Sequence, residues 1–298
     1  MERVAVAGTG RMGLPICHAL VRAGYPVVAT DERAERAEPV LACGASWRDT
    51  PAEAGAIADT LVTVLPGPAQ VQAVMLGADG ALATLAAGTT WIDMTTSSPA
   101  AAAPIRSRAL ERGVQALEAP MGGGIQAARE GRLELFIGGD AGLLEEHRPL
   151  LEAIADPGRI LHVGGHGTGY TVKLIVNLLW FGQAVATAEA MLLGQRAGVN
   201  AEVLRQALTA SAAASNFIGC DVQAVFQGDY LRSFGLDGIC QELADVTGLA
   251  TEYGVPFEIS RQVRRIYQRA RARYGPVAGE LLAVALLEEQ AGTKLRPR

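Results

Sequence analysis

At 298 residues, with 49% hydrophobic and 19% charged side chains, the chain can bury a sizeable core and lacks the composition of a disordered segment. A formal net charge of −5 offers no cationic footprint for nucleic acid or anionic membrane, and the basic run from Arg261 to Arg273 reads as a solvated helix face. The four cysteines, Cys17, Cys43, Cys220 and Cys240, make no C-x-x-C pair, and His162 and His166 flank Gly164-Gly165 rather than sharing a helix face. No metal site is expected, and free thiols behind a start without a signal peptide suggest a reducing cytoplasm.

In chain order, short apolar runs alternate with helical patterns through the first half. Strands are expected at Val4–Ala7, Val27–Thr30, Leu61–Leu65, Thr90–Met94, Val114–Glu118, Leu133–Ile137 and Ile160–Val163. Helices are expected at Met12–Ala23, Ala69–Leu76, Ala100–Arg112 and Ala141–Ile154, with Ser98-Pro99 and Asp140 as start signals for the last two. Alternation of this kind predicts an α/β fold with a parallel sheet over residues 1–165; with Gly8, Gly10 and Gly13 following its first strand as G-x-G-x-x-G, it reads as a Rossmann-type dinucleotide-binding domain. After Gly169 the pattern turns all-helical: Tyr170–Gly198, Ala201–Ser211, Gly238–Tyr253, Arg261–Tyr274 and Val277–Gln290. Residues 166–298 therefore read as an all-α C-terminal domain, joined by a long helix over about 170–198. Leu174–Leu193 approaches the length of a membrane span, but Asn177, Gln183 and Glu189 within it favour a buried helix. The helical domain is richer in leucine, alanine and valine than a domain of its size can bury alone, which predicts a homodimer or homotetramer.

Val4-Ala5-Val6-Ala7 runs directly into Gly8-Thr9-Gly10-Arg11-Met12-Gly13 and a helix. In this G-x-G-x-x-G order Gly8 allows the tight turn, Gly10 lets backbone approach a pyrophosphate, and Gly13 lets helix and strand pack. The helix N-terminus then turns its unpaired N–H groups toward the phosphates. Thr9, Arg11 and Met12 lie in the same turn. About twenty residues on, Asp31 and Glu32 end the second strand. A carboxylate at Asp31 can accept the adenosine ribose hydroxyls and repel a 2′-phosphate, which favours NAD; it could also merely cap the next helix. Arg33 nearby leaves NADP possible.

Further motifs carry a resemblance. Gly8 to Pro15 resembles the opening motif of the β-hydroxyacid dehydrogenases, a family within the 6-phosphogluconate dehydrogenase-like superfamily. Leu65-Pro66-Gly67-Pro68 is similar to a cofactor-touching loop of that family, and Asp93-Met94-Thr95-Thr96-Ser97-Ser98-Pro99 to its cofactor-and-substrate loop. Glu118-Ala119-Pro120-Met121-Gly122-Gly123-Gly124 is similar to its substrate motif, and Gly167 to Asn177 to its catalytic helix. The resemblance implies cofactor contacts at Leu65, Pro66 and Thr96. It implies a substrate site at Thr96, Gly122, Gly123, Gly124, Lys173, Asn177 and Phe234, with Lys173 and Asn177 catalytic. The reaction implied is hydride transfer between NAD(P) and a small, anionic β-hydroxy acid or its carbonyl partner.

The residues themselves fit that chemistry. Lys173 opens an apolar helix, where desolvation lowers an ammonium pKa from about 10.4 toward neutrality, so it can exchange the hydroxyl proton. An ordinary first-turn lysine is disfavoured by the helix dipole. Asn177, one turn later, can bond the substrate or hold Lys173. Gly122-Gly123-Gly124 reads as a nest of backbone N–H groups for an anion, or as a plain turn. Two positions depart from the family: Gly122 stands where serine is usual, and Gln241-Glu242 where Lys-Asp is usual, so the resemblance implies the reaction type and a less cationic pocket. An imine reductase or a non-catalytic relative would lack the lysine. Tyr170 is the next candidate proton carrier.

Overall fold

The computed structural model describes residues 2–231 and 233–297. Contacts divide the chain into two compact units, residues 1–173 and 174–298, with the division inside one long helix.

The first unit alternates strand and helix: β1 (Val4–Ala7), α1 (Gly13–Arg22), β2 (Val27–Thr30), α2 (Ala37–Ala42), β3 (Ser46–Trp47), α3 (Pro51–Gly55), β4 (Thr60–Thr63), α4 (Pro68–Leu76), β5 (Thr90–Asp93), α5 (Pro99–Glu111) and β6 (Gln115–Glu118). It continues through β7 (Met121–Gly122), α6 (Gly124–Glu130), β8 (Leu133–Gly138), α7 (Ala141–Glu152) and β9 (Ala155–Gly164). Among the described residues these strands form one nine-stranded sheet in the order β3-β2-β1-β4-β5-β6-β8-β7, with β9 pairing β8. The run from β3 to β6 is parallel. That is the doubly wound 3-2-1-4-5-6 order, in which β1 and β4 flank the point where strand order reverses and ligands bind beyond the carboxyl ends.

Both faces are covered, so β1, β2, β4 and β5 are buried at every residue rather than alternately. Val4 and Val6 join a core with Ile16, Leu20, Leu133 and Leu151, while Ala5 and Ala7 face Leu61, Met75, Trp91 and Ile105. The predicted helix starts hold: Ser98 Oγ accepts from the Ala101 N–H at 3.4 Å, and Asp140 Oδ1 from Leu143 at 2.9 Å.

Two features depart from the sequence reading. β8 runs antiparallel to both β6 and β7, because the chain reverses across α6 between β7 and β8; β9 then runs parallel to β8. The long helix α8 (Thr168–Arg196) begins before Tyr170, so Lys173 lies in its second turn rather than its first. Glycine in that first turn is imposed by packing: a Cβ on Gly169 would lie 2.7 Å from the Phe136 carbonyl and 3.0 Å from the Gly138 nitrogen.

The second unit contains the rest of α8, then α9 (Ala201–Thr209), a π-helical turn at Phe217–Asp221, α10 (Val222–Gln227), α11 (Leu236–Glu252), α12 (Glu258–Tyr274) and α13 (Leu282–Ala291). One cluster gathers Leu174, Leu178, Phe181, Leu243, Ile266 and Tyr267, and another Ala188, Met191, Phe217, Val225 and Val284. The aromatic rings of Trp180, Phe181 and Tyr267 meet edge-on or tilted, with Trp180–Phe181 centroids 5.5 Å apart. Although α8 is long and apolar enough to cross a membrane by length and composition, 39% of its most apolar window is buried inside the fold. Its outward side shows Ile175, Val176, Leu179, Ala186, Ala190 and Leu193 at helical spacing, with Leu179 58% and Leu193 72% exposed.

Candidate active site

The glycine turn leaves β1 at the reversal of strand order. Gly8 has φ +96°, and a Cβ there would lie 2.3 Å from the Val64 carbonyl of the strand next door. A Cβ on Gly13 would meet the Gly8 carbonyl at 1.9 Å, so α1 packs on the turn only because both are glycine. Gly10 differs: the nearest atom to its Cβ position is Arg36 Nη1 at 3.4 Å. Only that flexible side-chain tip, and no backbone, lies against Gly10 beside the N-terminus of α1, where a pyrophosphate would approach. Met12 is the residue before the helix and packs on the core, while Arg11 is exposed. Leu65 packs against the Gly8 turn and donates its N–H to Thr95 Oγ1 at 3.1 Å, with Pro66 exposed beside it.

Asp31 is more than the cap of a following helix. Its side chain is 3% exposed, and Oδ2 accepts from the Thr9 N–H at 2.7 Å, Thr9 Oγ1 at 3.3 Å and Arg36 Nη1 at 2.6 Å. Oδ1 accepts from the Arg33 N–H at 3.1 Å. Burial pushes the carboxyl up, but the Thr9 N–H, the Arg36 guanidinium and the Arg33 N–H outweigh it and leave Asp31 below the ordinary carboxylate range. The sequence reading pointed to Arg33 as the nearby cation. The structure puts Arg36 there instead, because the 3₁₀ turn Ala34–Arg36 folds its side chain back over Gly10. Glu32 is exposed.

A second polar cluster sits under the carboxyl ends of β4, β5 and β6. Asp93 is buried and accepts from Thr63 Oγ1 at 2.7 Å, the Thr95 N–H at 3.0 Å and the Tyr170 hydroxyl at 2.7 Å. Burial pushes its carboxyl up despite those donors. Glu118, also buried, accepts from the Gly167 N–H at 2.5 Å, with Arg106 at 3.5 Å; its Oε2 is buried without a hydrogen-bond partner. Two strand-end carboxylates thereby fasten the start of α8 to the sheet, one through Tyr170 and one through Gly167. Tyr170 is spoken for: burial first, then the Asp93 charge, raise its hydroxyl well above the usual tyrosine value. It is therefore unsuited to the role of reserve proton carrier.

Lys173 follows one turn later and is half-buried. Asn177, a further turn along α8, donates Nδ2–H to Glu242 Oε2 at 2.7 Å within the second unit. Glu242 is 8% exposed, and its neighbour Gln241 points outward and bonds Asp245 at 2.9 Å. Phe234 is half-buried on the core of that unit, its ring covering Gly238. Thr96 is half-buried after β5.

The glycine run is not one uniform nest. Gly122 is a strand residue paired with Glu134. A Cβ on Gly122 would meet Glu134 Oε2 at 2.5 Å, and that carboxylate pairs with Arg159 at 2.8 Å. The space a serine would need is thus held by Glu134. Gly123 (φ +95°) and Gly124 (φ +69°) are left-handed and exposed, so these two carry the turn and present their backbone.

Residues 3–165 match the family model of the NAD binding domain of 6-phosphogluconate dehydrogenase, and residues 167–287 that of the NAD-binding of NADP-dependent 3-hydroxyisobutyrate dehydrogenase. NAD-dependent L-serine dehydrogenase of Pseudomonas aeruginosa is 37% identical over 71% of this chain and 70% of its own length. L-threonate dehydrogenase of Cupriavidus necator is 32% identical over 90% of each. The solved structure of Mycobacterium tuberculosis 3-hydroxyisobutyrate dehydrogenase with L-serine superimposes with a TM-score of 0.85 at 27% identity, covering 96% of this chain and 99% of that one. An imine reductase from Myxococcus stipitatus, at 19% identity and a TM-score of 0.67 over 96% and 99%, shares the fold alone. Two consecutive family models and a glycine turn whose side-chain-free positions are fixed by backbone contacts agree: the chain belongs to the β-hydroxyacid dehydrogenase family of NAD(P)-dependent oxidoreductases.

Proposed function

We propose that this dehydrogenase interconverts a small β-hydroxy acid and its aldehyde or ketone, with Lys173 exchanging the hydroxyl proton. The observation that carries the assignment is the placement of Lys173 one turn beyond a helix start fastened by Asp93 and Glu118 to the carboxyl ends of the strands, the end of the sheet at which the glycine turn also lies. Gly8 to Gly13 and Asp31 would hold a nicotinamide dinucleotide, which when bound would supply the hydride acceptor for oxidation and the hydride donor for reduction. In the oxidative direction unprotonated Lys173 Nζ takes the hydroxyl proton as the C–H pair departs; in reduction the ammonium gives it back. Asn177, oriented by Glu242, contributes a carboxamide to the hydroxyl or to the lysine. The exposed backbone of Gly123 and Gly124 receives the substrate carboxylate. The two relatives named for L-serine and L-threonate define the class to try first: short hydroxy acids with a second polar substituent. Consumption of reduced cofactor with aldehyde acids, and none with cyclic imines, is the expected outcome of a substrate panel; turnover of imines alone would replace the reading by imine reduction.

The same reading includes a homodimer or a homotetramer built on α8. The outward stripe of Ile175, Leu179 and Leu193 is apolar along the helix and suits a second copy of the same surface. Light scattering at micromolar concentration is expected to give at least twice the mass of one 31.1 kDa chain, and Leu179→Glu to lower it. A monomeric wild type removes this part of the proposal.

A further inference from the structure

We propose that Arg36 sets the cofactor selectivity at the ribose end, so that the protein accepts both NAD and its 2′-phosphorylated form. The inference rests on the dinucleotide reading of the glycine turn and goes beyond it. A carboxylate oxygen has about two lone-pair sites. Asp31 Oδ2 already takes the Thr9 N–H, the Thr9 hydroxyl and Arg36 Nη1, so it has no capacity left while Arg36 stays in place. Oδ1 accepts from one N–H, that of Arg33, and keeps room for a single hydroxyl. Asp31 in this arrangement can serve one ribose hydroxyl, not both.

The charge changes as well. A lone carboxylate at this position repels a 2′-phosphate, whereas Asp31 paired with Arg36 at 2.6 Å presents a compensated pair. The Arg36 side chain is 29% exposed, and its guanidinium lies 3.4 Å from the Cβ position of Gly10, on the open side of the turn. One of its N–H donors faces Asp31; its remaining donors make no hydrogen bond among the described residues. A guanidinium with spare donors beside the ribose position is the group a phosphate monoester binds best. Glu32 and Glu35 are exposed at the rim and oppose the phosphate through solvent, where their fields are screened. Arg33 is exposed and touches Asp31 through its backbone N–H, so its side chain is not part of this pair.

Titrating NADH and NADPH separately into the full-length protein, followed by calorimetry, tests the assignment without turnover. Wild-type dissociation constants for the two are expected within about tenfold of each other. Arg36→Gln should weaken NADPH by at least about tenfold and leave NADH unchanged or tighter, since Asp31 is then free for both hydroxyls. Arg33→Gln should leave the ratio as it is. Asp31→Asn should move the ratio the other way, by releasing Arg36 toward the phosphate. An Arg36→Gln ratio equal to wild type, or a wild type that rejects NADPH by more than about a hundredfold, overturns the role of Arg36. Failure of the wild type to bind either dinucleotide overturns the cofactor reading beneath it.

Discussion

Lys173→Ala is expected to lower turnover by at least about 10²-fold, the lower end of what a positioned proton-transfer group contributes. Dinucleotide affinity should change little, because the residues offered to the dinucleotide are the glycine turn, Asp31 and Arg36. Lys173→Arg should not restore the rate, since a guanidinium does not give up its proton near neutral pH. Asn177→Ala should be milder: it removes one carboxamide and leaves Glu242 buried without that donor, but keeps the proton carrier. Steady-state turnover with cofactor binding by fluorescence quenching, on variants with native circular dichroism, separates these cases. Near-normal turnover in Lys173→Ala would move the proton to another group. Tyr170 would not be that group, as its hydroxyl is buried on Asp93.

The second large effect divides the glycine turn into two kinds of glycine. Gly8→Ala must place a Cβ at φ +96° and 2.3 Å from the Val64 carbonyl, so both strain and overlap fall on backbone that cannot swing away. With about 1–2 kcal/mol for the left-handed conformation and about 1–3 kcal/mol for overpacking, stability should fall by roughly 2–5 kcal/mol. Gly10→Ala meets only a guanidinium tip at 3.4 Å and should stay within about 0.5 kcal/mol of wild type. It should nonetheless weaken NADH by at least about tenfold, because the methyl group fills the approach to the phosphates. Urea unfolding measures the first quantity and calorimetry the second. Wild-type NADH affinity in a stable Gly10→Ala protein would mean the pyrophosphate does not lie on this turn.

Much of this architecture was legible because strand and helix announced themselves by length and flanking residues. Val4–Ala7 and Val27–Thr30 are apolar on both faces and end in Gly8 and Asp31, and the strand bounds agree with the structure. The direction of β8 was not legible, since a largely apolar run from Leu133 to Gly138 looks the same parallel or antiparallel; the reversal is made across α6, a seven-residue helix too short to show a clear period. The start of α8 was read too late because Gly167-Thr168-Gly169 looks like loop. Only the three-dimensional approach to Gly138 explains why glycine belongs inside that helix turn.

The candidate site shows the same division. Gly8, Gly10, Gly13 and Asp31 come together as their spacing implied, because a strand–turn–helix leaves few alternatives. Arg36 was missed because a 3₁₀ turn returns its side chain to Asp31, and nothing in Ala34-Glu35-Arg36 marks that turn in the sequence. Asp93 and Glu118 stood inside quoted motifs, yet their partners Tyr170 and Gly167 lie far along the chain and are found only by folding. Glu242 drew notice as a departure from Lys-Asp; its hold on Asn177 was invisible for the same reason. Gly122 was read with Gly123 and Gly124 as one nest or one plain turn, whereas strand pairing assigns it to β7 opposite Glu134.

The claim that this chain moves a hydride between a nicotinamide and the hydroxyl-bearing carbon of a small acid is tested most directly by following that hydrogen. L-Serine, L-threonate and unsubstituted short β-hydroxy acids, each deuterated at the carbon bearing the β-hydroxyl, are incubated with the protein and oxidised cofactor. The reduced cofactor is then isolated and weighed by mass spectrometry. The account predicts that at least one of these acids transfers its deuterium to the nicotinamide ring, and that Lys173→Ala suppresses the transfer in parallel with turnover. Reduced cofactor that carries no deuterium, or label transfer undiminished in Lys173→Ala, would contradict it.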